Sequence, residues 1–143
     1  MIREATRADI PEIVDLGERH LRTSHYGDFI EPDRAAMAGL TRMLIDEPHG
    51  LVLVAEHDGR ITGHIGVVAT LHPYSGLPVM SEMFWYVAPE ARGAGVRLLK
   101  YAETWARANG IAHALMVAPD ERVAAFYRRL GYARLEEQFI KAL

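Results

Sequence analysis

The sequence predicts an α/β (α+β) fold in which a single mixed, mostly antiparallel central sheet is flanked by helices. Two observations carry this. Three strand-like segments run consecutively between residues 50 and 87, and only afterwards do helices and strands alternate. Within that run, Asp58 and Gly59 divide LVLVAEH from RITGHIGVVATL, and both residue types tolerate the positive φ of a tight hairpin turn.

The elements follow in order. Residues 2–6 (IREAT) read as a short strand. Asp9 then opens an amphipathic helix with Ile10, Ile13, Val14, Leu16 and Leu21 on its apolar side. Residues 23–30 (TSHYGDFI) break the period. A second helix follows Pro32, with Met37, Leu40, Met43, Leu44 and Ile45 at helical spacing, and Pro48 closes it. After the hairpin comes a loop, LHPYSGLPVM, and then the aromatic-rich strand SEMFWYV. Residues 96–109 form a helix with Leu98, Leu99, Ala102, Trp105 and Ala106 inward and Gly110 as its stop. AHALMVA is a strand, residues 120–130 a helix capped by Gly131, and GYARLEEQFIKAL a last extended strand. The order is βααβββαβαβ. With no repeat, linker or low-complexity tract, residues 1–143 are expected to form one domain.

Composition narrows the function classes. The chain is 50% hydrophobic and 24% charged, as soluble globular proteins are. Its formal charge of −3, with no basic block, speaks against a nucleic-acid partner. The absence of cysteine excludes disulfides, thiolate zinc sites and cysteine nucleophiles. No apolar run approaches the ~20 residues of a membrane span, and charges stand where a signal peptide would have its apolar core. A cytoplasmic protein without a membrane partner is expected. Among seven histidines, no HExxH or other ligand spacing occurs, so no metal is expected.

The most informative segment is 87–99, VAPEARGAGVRLL. A strand ends, Pro89 blocks further pairing, and Arg92-Gly93-Ala94-Gly95 leads straight into a helix. Amides of a first helical turn lack internal partners and favour an anion at the helix end. At Gly95, a missing Cβ would leave room for a phosphate. A Walker loop needs G-K-[ST], but Val96 and Arg97 follow Gly95. A dinucleotide fingerprint needs a third small residue where Leu98 stands, and an acid on the next strand, AHALMVA, which has none.

A third reading fits. Segment 87–99 resembles the acyl-CoA pyrophosphate loop of the GNAT superfamily of acetyl-CoA-dependent N-acetyltransferases. Residues 120–132, DERVAAFYRRLGY, are similar to that family's late motif, and the element order looks like its domain from first residue to last. Two positions depart: Arg97 stands where glycine or alanine is usual, and Asp120 where asparagine is usual.

The resemblance implies acetyl-CoA as cosubstrate and assigns roles. The amides of Arg92, Gly93, Ala94, Gly95, Val96 and Arg97 would hold the pyrophosphate. Trp85, Tyr86 and Val87 would pair their backbone with pantetheine, and an amide near Val87 would polarise the thioester carbonyl; the Trp85 and Val87 side chains are as well explained by core packing. Asp120 would place a carboxylate near the pantetheine arm. Tyr127 would contact the cofactor and protonate its sulfur, the alternative being an aromatic packed between helix and sheet. Arg97 would either clamp a CoA phosphate or point to solvent and pair with Glu90 or Glu103.

For a general base, Glu82 is the only carboxylate on the strand that opens toward the thioester. Strand alternation sets it with Phe84 and Tyr86 rather than with Trp85 and Val87, unless a bulge intervenes. Otherwise it is a paired surface carboxylate, with His64 or His72 as substitute bases. By resemblance the acceptor enters over residues 23–30 and 72–80, where Ser24, His25, Tyr26, Asp28 and Tyr74, with nearby Glu31, suit a cationic amine. The expected activity is acetyl transfer from acetyl-CoA to a primary amine of a small molecule or peptide, by direct attack in a ternary complex. A non-catalytic CoA-binding or sensing domain is the alternative, and a homodimer stays open.

Overall fold

The computed structural model describes residues 1–143. Five strands form one sheet in the order of the chain: β1 (Ile2–Glu4), β2 (Gly50–His57), β3 (Arg60–Leu71), β4 (Pro78–Val87) and β5 (Ala114–Leu115). The first four pair antiparallel and β5 joins β4 in parallel, which makes the sheet mixed. The helices are α1 (Ile10–Thr23), α2 (Arg34–Asp46), α3 (Ala94–Ala108) and α4 (Glu121–Arg129). No helix is long and apolar enough to cross a membrane.

Strand alternation divides the core between two faces. Leu51, Leu53, Ile65, Val67 and Met80 meet Leu98, Leu99, Ala102 and Tyr127 on the α3/α4 face. Val52, Val54 and Ile61 meet Ile13, Leu16 and Leu44 on the α1/α2 face. Caps set the helix starts. The Asp33 side chain accepts from the Ala36 amide, and the Asp120 side chain accepts from the Val123 amide, each at 2.9 Å. Gly93 starts α3 with φ 87°, a left-handed conformation that a side chain would disfavour.

Two expectations fail at the C-terminal side. Of AHALMVA, only Ala114 and Leu115 pair with β4, through Met80 and Ser81. The segment GYARLEEQFIKAL forms no strand: residues 132–143 have no regular secondary structure, and Leu135, Phe139 and Ile140 are exposed. A two-residue β5 offers too short a ladder for another strand to extend. The consequence for function is that β4, from Met83 to Val87, has an outer edge with no neighbouring strand.

Candidate active site

The site forms where β4 and β5 part. On β3, Gly66 lies opposite Phe84 and Val67 opposite Glu82, so Met83 is an extra residue on β4, a β-bulge. A Cβ on Gly66 would overlap the Phe84 ring, so the glycine makes room for that ring at the bulge. The alternation expected from sequence is thereby corrected. Met80 and Glu82 face α3 and α4, and beyond the bulge Trp85 and Val87 face the same way, while Phe84 and Tyr86 pack on the α1/α2 face.

That inversion puts Glu82 against α4. Its Oε2 accepts the Val117 amide at 2.9 Å and the Tyr127 hydroxyl at 3.1 Å. No cation pairs with it, so it is not a paired surface carboxylate. Burial pushes its carboxyl up to about 7, against the smaller lowering effects of the Val117 and Tyr127 hydrogen bonds. Tyr127 is 5% exposed, boxed by Trp85, Phe126 and Tyr132 at ring separations of 5.7, 5.8 and 5.2 Å. Burial first, and then the Glu82 carboxylate, hold its phenol well above the ordinary tyrosine range. Tyr132 in turn donates to Glu103 at 2.8 Å, which ties the end of α4 to α3.

The substitute bases are placed elsewhere. His64 is 2% exposed and packs at 5.1 Å against Phe84 on the opposite face of the sheet from Glu82. Burial drives its pKa down to about 3. His72 holds its own loop, accepting from the Tyr74 amide at 3.3 Å. No group of three or more His, Asp or Glu side chains is arranged to hold a metal.

At the start of α3, the amides of Arg92, Gly93, Ala94, Gly95 and Val96 donate to no protein acceptor. Five free donors beside a helix N-terminus suit an anion. Gly95 serves differently from the expectation: a Cβ there would approach Trp85 to 3.3 Å and Val87 to 3.6 Å, so its smallness lets α3 close on the sheet. Ala94 is buried in the core, and Arg92 and Arg97 are exposed. The expected partners of Arg97 are taken, Glu90 by Arg19 and Glu103 by Arg107 and Tyr132, which leaves its guanidinium free. Asp120 spends its carboxylate on capping α4. These five amides, a free arginine and an unpaired strand edge fit the phosphates and amide arm of CoA.

The acceptor candidates divide. Tyr26 lies in a 3-10 turn after α1, stacked on His25 at 5.1 Å, and burial first, then the Glu82 carboxylate, pushes its phenol up. His20, weighed from sequence only for metal-ligand spacing, bridges this turn to the sheet by packing on both Tyr26 and Tyr86, at 6.0 and 5.0 Å. Ser24, Asp28 and Glu31 instead line an open pocket of about 440 Å³ between α1 and α2. Tyr74 is 96% exposed on the β3–β4 loop.

The model of the acetyltransferase (GNAT) family matches residues 18–132. The chain belongs to the GNAT acetyltransferase family. Solved structures share its fold. An aminoglycoside 6'-N-acetyltransferase from Acinetobacter haemolyticus is 21% identical, covers 100% of this chain and 97% of its own, and has a TM-score of 0.77. A predicted acetyltransferase with acetyl-CoA from Clostridium acetobutylicum is 18% identical over 99% of this chain and 95% of its own, at TM-score 0.80. A ribosomal-protein-alanine N-acetyltransferase from Brucella melitensis biovar Abortus 2308 is 17% identical over 100% and 98%, at 0.77. No curated protein sequence matches the chain at a significant level.

Proposed function

We propose that this GNAT acetyltransferase moves the acetyl group of acetyl-CoA to a primary amine of a small molecule or peptide, by direct attack in a ternary complex in the cytoplasm. The observation that carries the reading is the placement of Glu82 and Tyr127, hydrogen-bonded to each other where β4 and β5 part.

The bound acetyl-CoA supplies an activated carbonyl and a thiolate leaving group. The free amides of 92–96 hold its pyrophosphate, and Arg97 adds a charged fork to a phosphate. The open edge of β4 at Trp85, Tyr86 and Val87 takes the pantetheine as an added strand. Glu82, with a pKa of about 7, takes a proton from the amine. Tyr127 protonates the departing sulfur. The turn bearing Tyr26 and His25 forms the wall nearest Glu82 for the amine. Solved structures of the same fold include enzymes named for aminoglycoside and ribosomal-protein substrates, which supports an amine acceptor of either size.

Ligand-dependent thermal shift tests the cofactor half of this reading. Acetyl-CoA at a hundredfold excess over Kd stabilises the fold by ~2.7 kcal/mol, and NAD at the same concentration leaves the melting temperature unchanged. Equal shifts from both would remove CoA from the account.

A further inference from the structure

Three half-buried rings close the gap between α1 and the end of β4. His20, on α1, lies 5.0 Å from Tyr86 on β4 with the ring planes 30° apart, and meets Tyr26 edge-on at 6.0 Å. His25 extends the row, stacked on Tyr26 at 5.1 Å and 17°. Neither His20 nor the Tyr86 ring has a part in the transfer step, yet both stand beside the path of the amine. We propose that His20, Tyr26 and Tyr86 form an aromatic collar that selects an acceptor with a second cationic centre, such as a diamine, an oligoamine or an amino sugar, and rejects amines that carry a carboxylate. This narrows the acetyl-transfer reading above and rests on it.

The wall around the collar has no free positive charge. Burial, and then His25, hold the His20 imidazole below its ordinary range, so it presents a neutral ring at pH 7. Behind it His64 packs on Phe84 and Tyr86, buried and neutral, with an Nδ1 that makes no hydrogen bond. The arginines at the facing ends of α1 and α2 are spent. Arg19 holds both oxygens of Glu90, Arg22 pairs with Glu18, and Arg34 pairs with Glu18 and Asp15. None of the three reaches Asp28 or Glu31 on the rim of the Tyr26 turn.

These surroundings sort acceptors by the charge of their non-reacting end. The face of an aromatic ring is negative, so an ammonium over Tyr26 or Tyr86 is attracted to it. The phenol oxygens are free to accept its N–H groups: of six tyrosines, only Tyr127 and Tyr132 give their hydroxyls to a protein carboxylate. A carboxylate in the same place would meet ring faces and no cation, and an unpaired charge taken out of water is costly. Asp28 and Glu31 add a negative field at the mouth that draws cations in and turns anions away. A free amino acid would need a lysine or arginine for its carboxylate, and the collar supplies none.

Putrescine, butylamine and γ-aminobutyrate place an ammonium, a methyl and a carboxylate at the far end of one short aliphatic amine. With acetyl-CoA, kcat/KM for putrescine should exceed that for butylamine roughly 3–10-fold and that for γ-aminobutyrate at least about tenfold. In His20→Leu and in Tyr26→Leu the putrescine-to-butylamine ratio should fall to about one, while His20→Phe, which keeps a ring, should preserve it. The ratio is taken within each variant, so a general loss of turnover does not obscure it. Turnover of γ-aminobutyrate equal to that of putrescine, or an unchanged ratio in both leucine variants, would overturn the collar and leave acetyl transfer standing. Binding reads the converse. In CoA-loaded protein with ¹³C-labelled tyrosine, putrescine should shift the Tyr26 ring resonances saturably and γ-aminobutyrate should not. That selective shift without acetylation of any amine would keep the collar and remove acetyl transfer. No shift from putrescine would overturn the collar whatever the turnover.

Discussion

Replacing Glu82 by glutamine isolates the energetic cost of burying this carboxylate. Glutamine keeps an oxygen that can accept from the Val117 amide and the Tyr127 hydroxyl, so the two contacts at 2.9 and 3.1 Å survive while the titration is lost. In the folded protein burial raises the Glu82 pKa from an ordinary 4.5 to about 7. Below pH 4.5 the folded and unfolded chains both carry the proton, and the group adds its full share of stability. Between 4.5 and 7 the unfolded chain has lost the proton and the folded one keeps it, so stability falls as pH rises; above 7 it is level. At ~1.36 kcal/mol per unit, the interval amounts to roughly 3 kcal/mol. Urea denaturation of wild type and Glu82→Gln across pH 4 to 9 reads this as a difference curve, in which contributions from all other groups cancel. The variant should gain roughly 3 kcal/mol on wild type between the two ends, with the rise centred between pH 4.5 and 7. A flat difference curve would show that Glu82 is ordinarily solvated and would refute the argument for a base tuned by burial.

Other outcomes follow from the same geometry. Gly95→Val adds branched bulk where Trp85 and Val87 already stand 3.3 and 3.6 Å from a Cβ, so it should cost ~1–3 kcal/mol by overpacking and weaken acetyl-CoA by tilting α3; unaltered denaturation would exclude that packing role. Arg97→Ala should weaken acetyl-CoA by ~1.5–3 kcal/mol and acetyl-pantetheine, which lacks the pyrophosphate, hardly at all. Calorimetry on both ligands checks it, and equal losses would place Arg97 away from the phosphates. Tyr127→Phe should lower kcat ~10²-fold or more with circular dichroism unchanged; a variant retaining over half of wild-type turnover would assign sulfur protonation to solvent.

The helices, the hairpin and the inward face of α3 were legible because periodicity reports burial directly. Leu98, Leu99, Ala102 and Ala106 are buried as their spacing predicts. The free amides at the start of α3 were legible as well, since the first turn of a helix has no internal acceptors for its N–H groups. The face presented by Glu82 was not, because one extra residue in a strand inverts every side chain beyond it. The signal lay on the neighbouring strand: Gly66, a glycine inside an apolar run, makes room for the Phe84 ring at the bulge. The C-terminal segment misled for a related reason. An extended reading of residues 131–143 also needs a neighbouring strand to pair with, and β5 is only Ala114–Leu115. His20 was weighed only for metal-ligand spacing, because its packing on Tyr26 and Tyr86 depends on a turn and a strand that sequence does not bring together.

Incubating the protein with acetyl-CoA and a panel of primary amines, followed by product mass and free CoA, tests the central assignment most directly. The account predicts a mass increase of one acetyl group on at least one amine, free CoA in equal amount, and both lost together in Glu82→Gln. Acetyl-CoA binding without an acetylated product from any aminoglycoside, polyamine, amino acid or peptide in the panel would contradict it, and would assign the fold to CoA sensing.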